Sequence, residues 1–446
     1  MRRYPRTLVI SAAPINGRSG TGVTLGNLFR GWPPENLAQI CSSSDLPDAD
    51  ICDKFWRLEL KDVPADHRLR RFVQRSLESR TAGTATAART LPAVGTRTLR
   101  GRLSAWADLA GFEPPSGFWP WVRSFDPEVI LSNLASIRQT RLTSRVAEEL
   151  RVPVVPFFHD DWPATMYAAD RVVAIPRRVL MAELARCLRG ATVGIGNSEE
   201  MAQEYAARFG LPFHAFMNCV DVGDYVPPSP LAEEMNFTYV GGLHLGRSEA
   251  LQDILAAISI THKAGAKSRL ILYAPVADLA LLPERLVDSN CVTIGGSVSG
   301  DAMQEVLRRA DVLLHVESFD SEVRKYTRLS FSTKLPLYMS VGRPILAYGP
   351  AEGASIRHVA RKNIGIVVSE KGVEHLAPAV ARLSANAGLR GQYGRAAWQQ
   401  AKDLYAADQM RDRFGGVLTE AARAGGRLSE SAREANDSTV RLNRER

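Results

Sequence analysis

The sequence predicts an α/β protein built from two doubly wound, Rossmann-like domains facing each other across a cleft. Three observations carry that prediction. Short β-rich runs alternate with helical stretches along nearly the whole chain, and such alternation implies parallel strands joined by right-handed crossovers. The alternation breaks once, at DVGDYVPPSPLAEEMN, where Pro227, Pro228 and Pro230 make an extended linker, and then restarts. At 446 residues, the chain is also too long for one core of ordinary size.

The elements follow in order. TLVISAAP reads as a strand, and TGVTLGNLFRGW as the helix after a glycine loop. EVILSNLAS is a second strand and TRLTSRVAEELR a helix; VPVVPFFHD is a third strand. The helix AELARCLRG leads to ATVGIGNS and then to SEEMAQEYAARFG, stopped by its glycine. Past the linker come FTYVGGL, a helix through LQDILAAISITHKAG, RLILYAP, CVTIGGSV, the helix DAMQEVLRRA and DVLLHVES. After an insertion, KLPLYMSVG, PILAYGP, a helix SIRHVARK, IGIVVS and two more helices complete the pattern. The expected organisation is therefore a first domain over residues 1–224 with a basic insertion at about 66–110, a linker at 225–235, a second domain over 236–405, and a C-terminal helix with a disordered tail over 406–446.

Composition narrows the class. Hydrophobic residues at 45% and charged residues at 23% are the mix of a soluble globular protein. Cys41, Cys52, Cys187, Cys219 and Cys291 are scattered without C-x-x-C spacing, which argues against a disulfide framework or zinc site and fits a reducing cytoplasm. The run TLVI is too short for a signal peptide, and no stretch approaches the roughly 20 apolar residues of a membrane span. The net charge of +8 is uneven: nine arginines fall from Arg68 to Arg102, against only Asp66 and Glu78. Leu69, Phe72, Val73 and Leu77 recur among them at near-helical spacing. This reads either as a solvated surface helix or as a basic amphipathic face for anionic headgroups on the inner face of the plasma membrane, or for an anionic acceptor. No aromatic-interleaved module or helix-turn-helix points to nucleic acid.

In facing doubly wound domains, ligands bind beyond the carboxyl ends of the strands, so candidate chemistry is sought there. The loop NGRSGTGVT matches G-x-x-x-x-G-K-[ST] from Gly17 except that Val23 replaces the lysine. Read from Gly20 it is one residue off a dinucleotide fingerprint, with Asp45 a weak ribose partner, so Gly20, Thr21 and Gly22 read as a loop whose glycines allow close approach to a cleft. PFFHDDWP places His159, Asp160 and Asp161 at a strand end, where they suit a general base, a metal ligand or a helix cap; polar contact with a substrate is preferred. Asn197 ends the next strand. YVGGLHLGR puts Gly241 and Gly242 where backbone can approach a ligand, and Arg247 where its fork can grip phosphate. Ser332, Thr333 and Lys334 open a predicted helix, an arrangement that suits an anion; the alternative is that a hydroxyl there simply caps the helix.

VPVVPFFHDDWP, GIGNSEEMAQEYAARFG, FTYVGGL and, most specifically, DVLLHVESFD with SFSTKLPLYMSVGRPILAYGP resemble the family 4 (group 1) glycosyltransferases of GT-B fold, over roughly residues 120 to 400. The resemblance implies transfer of a sugar from a nucleoside diphosphate with retention at the anomeric carbon, with no cofactor beyond that co-substrate and no metal. It implies that Arg247 and Lys334, with Ser332 and Thr333, hold the diphosphate, that His159 lies near the transferred sugar, and that Gly20 and Gly22 line the cleft. The sequence departs from the family where two glutamates are usual: Leu329 and Leu337 stand there, and Gly242 replaces a frequent arginine. Glu317, Asp320 and Glu322 lie upstream as other sources of a carboxylate. The expected acceptor is a saccharide or lipid-linked saccharide, as in bacterial surface polysaccharide synthesis. The alternatives are a GT-B nucleotide-sugar epimerase and a catalytically silent scaffold. A P-loop kinase fits less well, because the loop lacks its lysine and VILSN offers Asn133 rather than a magnesium-binding aspartate.

Overall fold

The structure, a computed structural model, describes residues 4–59, 62, 99–168, 170–228, 234–280, 282–283 and 289–442, the side chains of 100 and 427–442 excepted. The chain forms two compact units; described residues up to Met217 and from Gln409 onward make the first, and Asn218–Asp408 the second. Among the described residues each unit holds one all-parallel sheet flanked by helices, the doubly wound architecture that the alternation predicts.

The first sheet contains β1 (Thr7–Ile10), β2 (Leu37–Cys41), β3 (Lys54–Arg57), β4 (Val129–Ser132), β5 (Val154–Phe158), β6 (Gly194–Gly196) and β7 (Phe213–Ala215), in the order β3-β2-β1-β4-β5-β6-β7. TLVI, VILS and VVPFF are buried along their full length, as strands covered on both faces must be. Three strands escape the sequence reading. β2 carries a fully buried Gln39 in its centre, which interrupts the apolar run. Both ends of that amide are engaged: Oε1 accepts from Ile15 N at 2.9 Å and Nε2 donates to Ala13 O at 3.0 Å, so Gln39 fixes the loop leaving β1. β3 and β7 are edge strands, only partly covered, and their short polar-rich sequences lack a core signature.

The second sheet contains β8 (Met235–Val240), β9 (Ser268–Tyr273), β10 (Val292–Gly296), β11 (Val312–Val316), β12 (Ile345–Tyr348) and β13 (Gly365–Val368), in the order β10-β9-β8-β11-β12-β13. Its core gathers Phe237, Leu270, Leu272, Val312, Leu314 and Leu346. In both sheets the strand order reverses beside the first strand of the unit, between β1 and β4 and between β8 and β11. The loops leaving those strands diverge and open a crevice at the carboxyl edge.

The last helix, Ala407–Leu442, runs on through the stretch from Gly425 that composition assigns to a disordered tail. Met410, Phe414, Val417, Leu418 and Ala421 recur on one helical face and are buried. Phe414 packs edge-on against Phe29 at 5.2 Å and Phe216 at 5.4 Å, and Arg411 Nε donates to Asn27 O at 2.9 Å. Further along, Gly425 lies against the ring of Pro153, where a Cβ would clash. The last helix thus completes the first unit's core. The segment assigned to the basic insertion falls mostly outside the described residues; its described part is the helix Leu99–Ala107. No described helix is long and apolar enough to cross a membrane.

Two predictions follow from the packing. Phe414→Ala empties a fully buried aromatic site and is expected to destabilise the first unit by about 3–5 kcal/mol in denaturant unfolding. In the second unit His315 and His358 are buried; burial lowers both pKa values, that of His358 to about 3 with help from Lys362 and Arg361, while Glu317 pulls His315 the other way. The unfolded chain protonates these imidazoles near their ordinary 6.5, whereas the folded chain keeps them neutral to lower pH. Stability is therefore full above pH about 6.5 and falls as the pH drops below it, by at most about 1.4 kcal/mol per pH unit for each histidine. Unfolding midpoints at pH 7, 6 and 5 should fall in that order, with a shallower slope for His358→Gln.

Candidate functional site

A constellation of charged and hydroxyl side chains lies at the carboxyl edge of the second sheet, and it is assembled from β8 outward. Tyr239 and Val240 end β8, and the chain leaves through Gly241–Gly246 into the helix Arg247–Lys263. The loop is fixed at its base by Leu243 N donating to the Asp278 carboxylate at 2.8 Å. It turns through two left-handed residues, Leu245 at φ 63° and Gly246 at φ 71°, a conformation that strains the bulky leucine. The turn sets Arg247 at the first helical position, and Gly246 supplies no side-chain cap. The amino end of this seventeen-residue helix therefore keeps its N–H groups and its positive dipole end beside the Arg247 guanidinium. His244, exposed in the loop, brings Nε2 to 3.4 Å from Arg247 Nη1.

Lys334 reaches the same place from the helix Lys334–Ser340. One turn after it, the Tyr338 hydroxyl accepts from Val240 N at 3.2 Å and donates to Val240 O at 3.0 Å, clamping the helix to the end of β8. Residues four apart share a helix face, so the clamp delivers the Lys334 ammonium to Tyr239. Nζ donates to the Tyr239 hydroxyl at 3.0 Å and lies 4.3 Å from the ring centre, while that hydroxyl donates to Gly242 O at 2.6 Å. Burial, and next the Arg247 charge, push the lysine pKa well below its usual range, with Glu317 acting in the opposite sense. Burial likewise pushes the Tyr239 phenol up to about 12, opposed by Arg247.

Gly241 is the position that permits this approach. Its φ is +141°, and a Cβ there would fall 2.6 Å from Lys334 Nζ and 2.8 Å from Cδ. At Gly242 a Cβ would meet His244 Nδ1 at 2.6 Å. Of the serine and threonine preceding the helix, Ser332 is tied down: its N donates to Ser355 Oγ at 3.0 Å and its Oγ accepts from Lys334 N at 3.4 Å. Thr333 stands at the cap position without a side-chain cap bond, and its carbonyl accepts from Asn218 Nδ2 at 2.9 Å.

Across the switch point, β11 ends in His315 and Val316, and Glu317 is the first residue after it. His315 Nε2 and Glu317 Oε1 are 3.1 Å apart and both residues are buried. Glu317 fits between glycines: a Cβ at Gly349 would lie 2.9 Å from its own Cβ, and one at Gly353 would lie 2.8 Å from Oε2. The neighbouring Ser318 Oγ would be 2.5 Å from a Cβ at Gly246, so the loops after β8 and β11 touch. Of the three upstream carboxylates, Asp320 caps the helix Ser321–Thr327 and Glu322 pairs with Lys325 at 3.0 Å, which leaves Glu317 as the one at this site. Leu329 is fully buried and Leu337 half-buried. The sequence reading did not single out Tyr239, Tyr338 or His315; alternation marks the strand end in DVLLHVES, but not which of its side chains share a face with Lys334.

In the first unit the predicted residues take several roles. His159 follows β5, its ring 4.2 Å from that of Phe157; Nε2 is buried with no hydrogen-bond partner, and burial lowers the pKa to about 4. Asp161 is 2% exposed and committed internally: it accepts from Tyr205 Oη and from Arg208 Nη1, both at 2.8 Å. Its side chain makes no cap bond to the helix Trp162–Thr165, while Asp160 accepts from Trp162 N through its carbonyl. Asn197 is buried after β6, its N donating to Phe158 O at 3.0 Å. Gly20 and Thr21 open the helix Gly20–Phe29, capped by Ser19 Oγ, which accepts from Gly22 N at 3.0 Å. The space beside Gly22 is filled by the loop's own backbone, with Pro14 O at 2.6 Å and Asn16 O at 2.7 Å from a Cβ placed there. A cavity of about 360 Å³ in this unit lies beside Pro5, Pro127 and Pro153, at the amino ends of β1, β4 and β5, the edge opposite to that used by ligands. Among the described residues no three His, Cys, Asp or Glu side chains gather as metal ligands.

By sequence, no protein family and no curated protein matches the chain. By structure it is similar to HepE of Anabaena, solved in complex with UDP, at a TM-score of 0.61 and 14% identity, covering 93% of this chain and all of that one. Sucrose-phosphate synthase of Thermosynechococcus elongatus gives 0.59 at 13% identity, covering 94% of this chain and 100% of that one. WaaG, a glycosyltransferase involved in lipopolysaccharide biosynthesis, gives 0.56 at 13% identity, covering 92% and 99%. With two Rossmann-like units and these neighbours, the chain has the GT-B glycosyltransferase fold.

Proposed function

We propose that this protein is a retaining, metal-independent glycosyltransferase that moves a hexosyl group from a nucleoside diphosphate to a saccharide or lipid-linked saccharide, in bacterial surface polysaccharide or glycoconjugate synthesis. The observation that carries the reading is the meeting of Arg247, Lys334 and the amino end of the helix Arg247–Lys263 around Tyr239, at the switch point of the second sheet. Two cations and open N–H groups suit a diphosphate, and Gly241 and Gly242 give it backbone contact. The solved relatives support the same substrate class: HepE is known with UDP-glucose as well as UDP.

The chemistry is then mostly electrostatic. The bond from the anomeric carbon to the diphosphate oxygen breaks while one to the acceptor oxygen forms on the same face, and the acceptor proton passes to the leaving phosphate oxygen. Arg247 and Lys334 stabilise the charge that grows on that phosphate. Glu317, steadied by His315, supplies a carboxylate for donor hydroxyls that Leu329 and Leu337 cannot supply. In the first unit His159, with its unpartnered Nε2, orients the sugar or acceptor, beside Asn197, Asp160 and the loop of Gly20, Thr21 and Gly22. Asp161 acts by bracing that strand end through Arg208 and Tyr205.

Calorimetry with uridine, guanosine, adenosine and thymidine diphosphate sugars tests the reading directly. One clear binder is expected, and Lys334→Ala should weaken it by about tenfold or more, the worth of a charge-assisted hydrogen bond. Unchanged affinity and turnover in that variant would remove the diphosphate assignment, while donor binding without transfer to any saccharide would favour a silent scaffold. Gly241→Ala should displace Nζ and lower donor affinity toward the Lys334→Ala level, while costing about 1–3 kcal/mol in unfolding for its left-handed backbone.

A further inference from the structure

The first unit carries an apolar surface patch that the proposed chemistry does not use. In the helix Leu99–Ala107, Leu99, Leu103 and Trp106 recur at one-turn spacing and are 72%, 41% and 41% exposed. Val172, in the 3-10 turn Arg171–Val173, and Ile175, in the first turn of the helix Ala174–Arg189, are 50% and 52% exposed. The two segments are joined side by side, because Trp106 Nε1 donates to Val172 O at 3.1 Å and Arg102 Nε to Asp170 Oδ2 at 2.6 Å. Among the described residues of the first unit, Leu46 is the only other large apolar side chain as exposed as these five. Isolated surface leucines are ordinary, whereas a cluster fed by two segments marks a docking surface.

Charge identifies what docks. Arg178 follows Ile175 by three residues on the same helical side, Arg171 lies in the 3-10 turn Arg171–Val173 that leads into the helix, and both are exposed. Asp170, the acidic residue beside them, is neutralised by Arg102. Apolar side chains bordered by cations, with an indole whose N–H is already bonded, fit a shallow seat in an anionic lipid interface. We propose that this patch docks the first unit on an anionic membrane surface, with Leu99, Leu103, Trp106, Val172 and Ile175 entering the headgroup boundary and Arg171 and Arg178 meeting the lipid charge. The sequence reading assigns such contact to arginines from Arg68 to Arg102; of these, Arg102 is spent on Asp170, and those before residue 99 lie outside the described residues. The inference goes beyond the glycosyl-transfer reading and does not depend on it, since vesicle binding is scored without nucleotide or turnover.

The test is co-sedimentation of the full-length protein with phosphatidylcholine vesicles with and without phosphatidylglycerol. Wild type is expected to sediment with the anionic vesicles, less so as salt rises, and to stay in solution with phosphatidylcholine alone. The double variant L103S/I175S, both sites on the surface, should lose about tenfold or more in partitioning, the scale of one or two leucine-sized burials. R171S/R178S should weaken binding and flatten its salt dependence while leaving the apolar residues in place. Wild type that ignores phosphatidylglycerol would overturn the proposal, as would L103S/I175S binding like wild type. So would an L103S/I175S variant that turns a dimer into a monomer, because the patch would then serve a second copy of the chain.

Discussion

Tyr338 and Val240 exchange two hydrogen bonds across ninety-eight residues of sequence, and the second unit's chemistry hangs on that exchange. A lysine at the start of a short helix would normally sweep through solvent. Here the clamp one turn later fixes the helix against the end of β8, and Lys334 has nowhere to go but over Tyr239 and against Gly241. The absence of a side chain at Gly241 is the other half of the arrangement, because any Cβ would occupy the ammonium's place. A buried tyrosine pair thus converts a flexible cation into a fixed one, which is what electrostatic stabilisation of a leaving group requires.

The cations at this edge are balanced by few opposing charges. Asp278 is committed to the backbone of Leu243, Asp320 to a helix cap, and Glu322 to Lys325. That leaves Glu317, bonded to His315 and wedged against Gly349 and Gly353, as the carboxylate that faces Lys334 from the neighbouring strand. The first unit is built differently: its strand-end carboxylate Asp161 is consumed by Arg208 and Tyr205, and its His159 is held neutral by burial.

Much of the fold was legible in the sequence because parallel strands covered on both faces must be apolar throughout, and TLVI, VILS, VVPFF, VLLHV and ILAY are nearly so. β2 was not legible, because its central glutamine serves the backbone at Ala13 and Ile15, in the loop after the neighbouring strand β1, rather than the core pattern. Of the candidate site, the residues marked by charge or by the lack of a side chain, Arg247, Lys334 and Gly241, were legible, and the structure brings them to one sheet edge. Tyr239, Tyr338 and His315 read as ordinary core residues, since burial gives a hydroxyl or imidazole no signature until its partner is known. At Gly22 the lack of a side chain is required by the loop itself, because Pro14 and Asn16 carbonyls fill that space.

The return of the last helix to the first unit bears on how the chain is made. Phe29 and Phe216 are synthesised early, yet the ring that packs between them belongs to Phe414. On the ribosome the second unit can close as soon as its own strands have emerged, while the first waits, its core open on one side, for a helix nearly two hundred residues later than the rest of it. Until that helix arrives, Phe29 and Phe216 lack the ring that covers them, the kind of exposed apolar surface that makes a folding intermediate prone to aggregate.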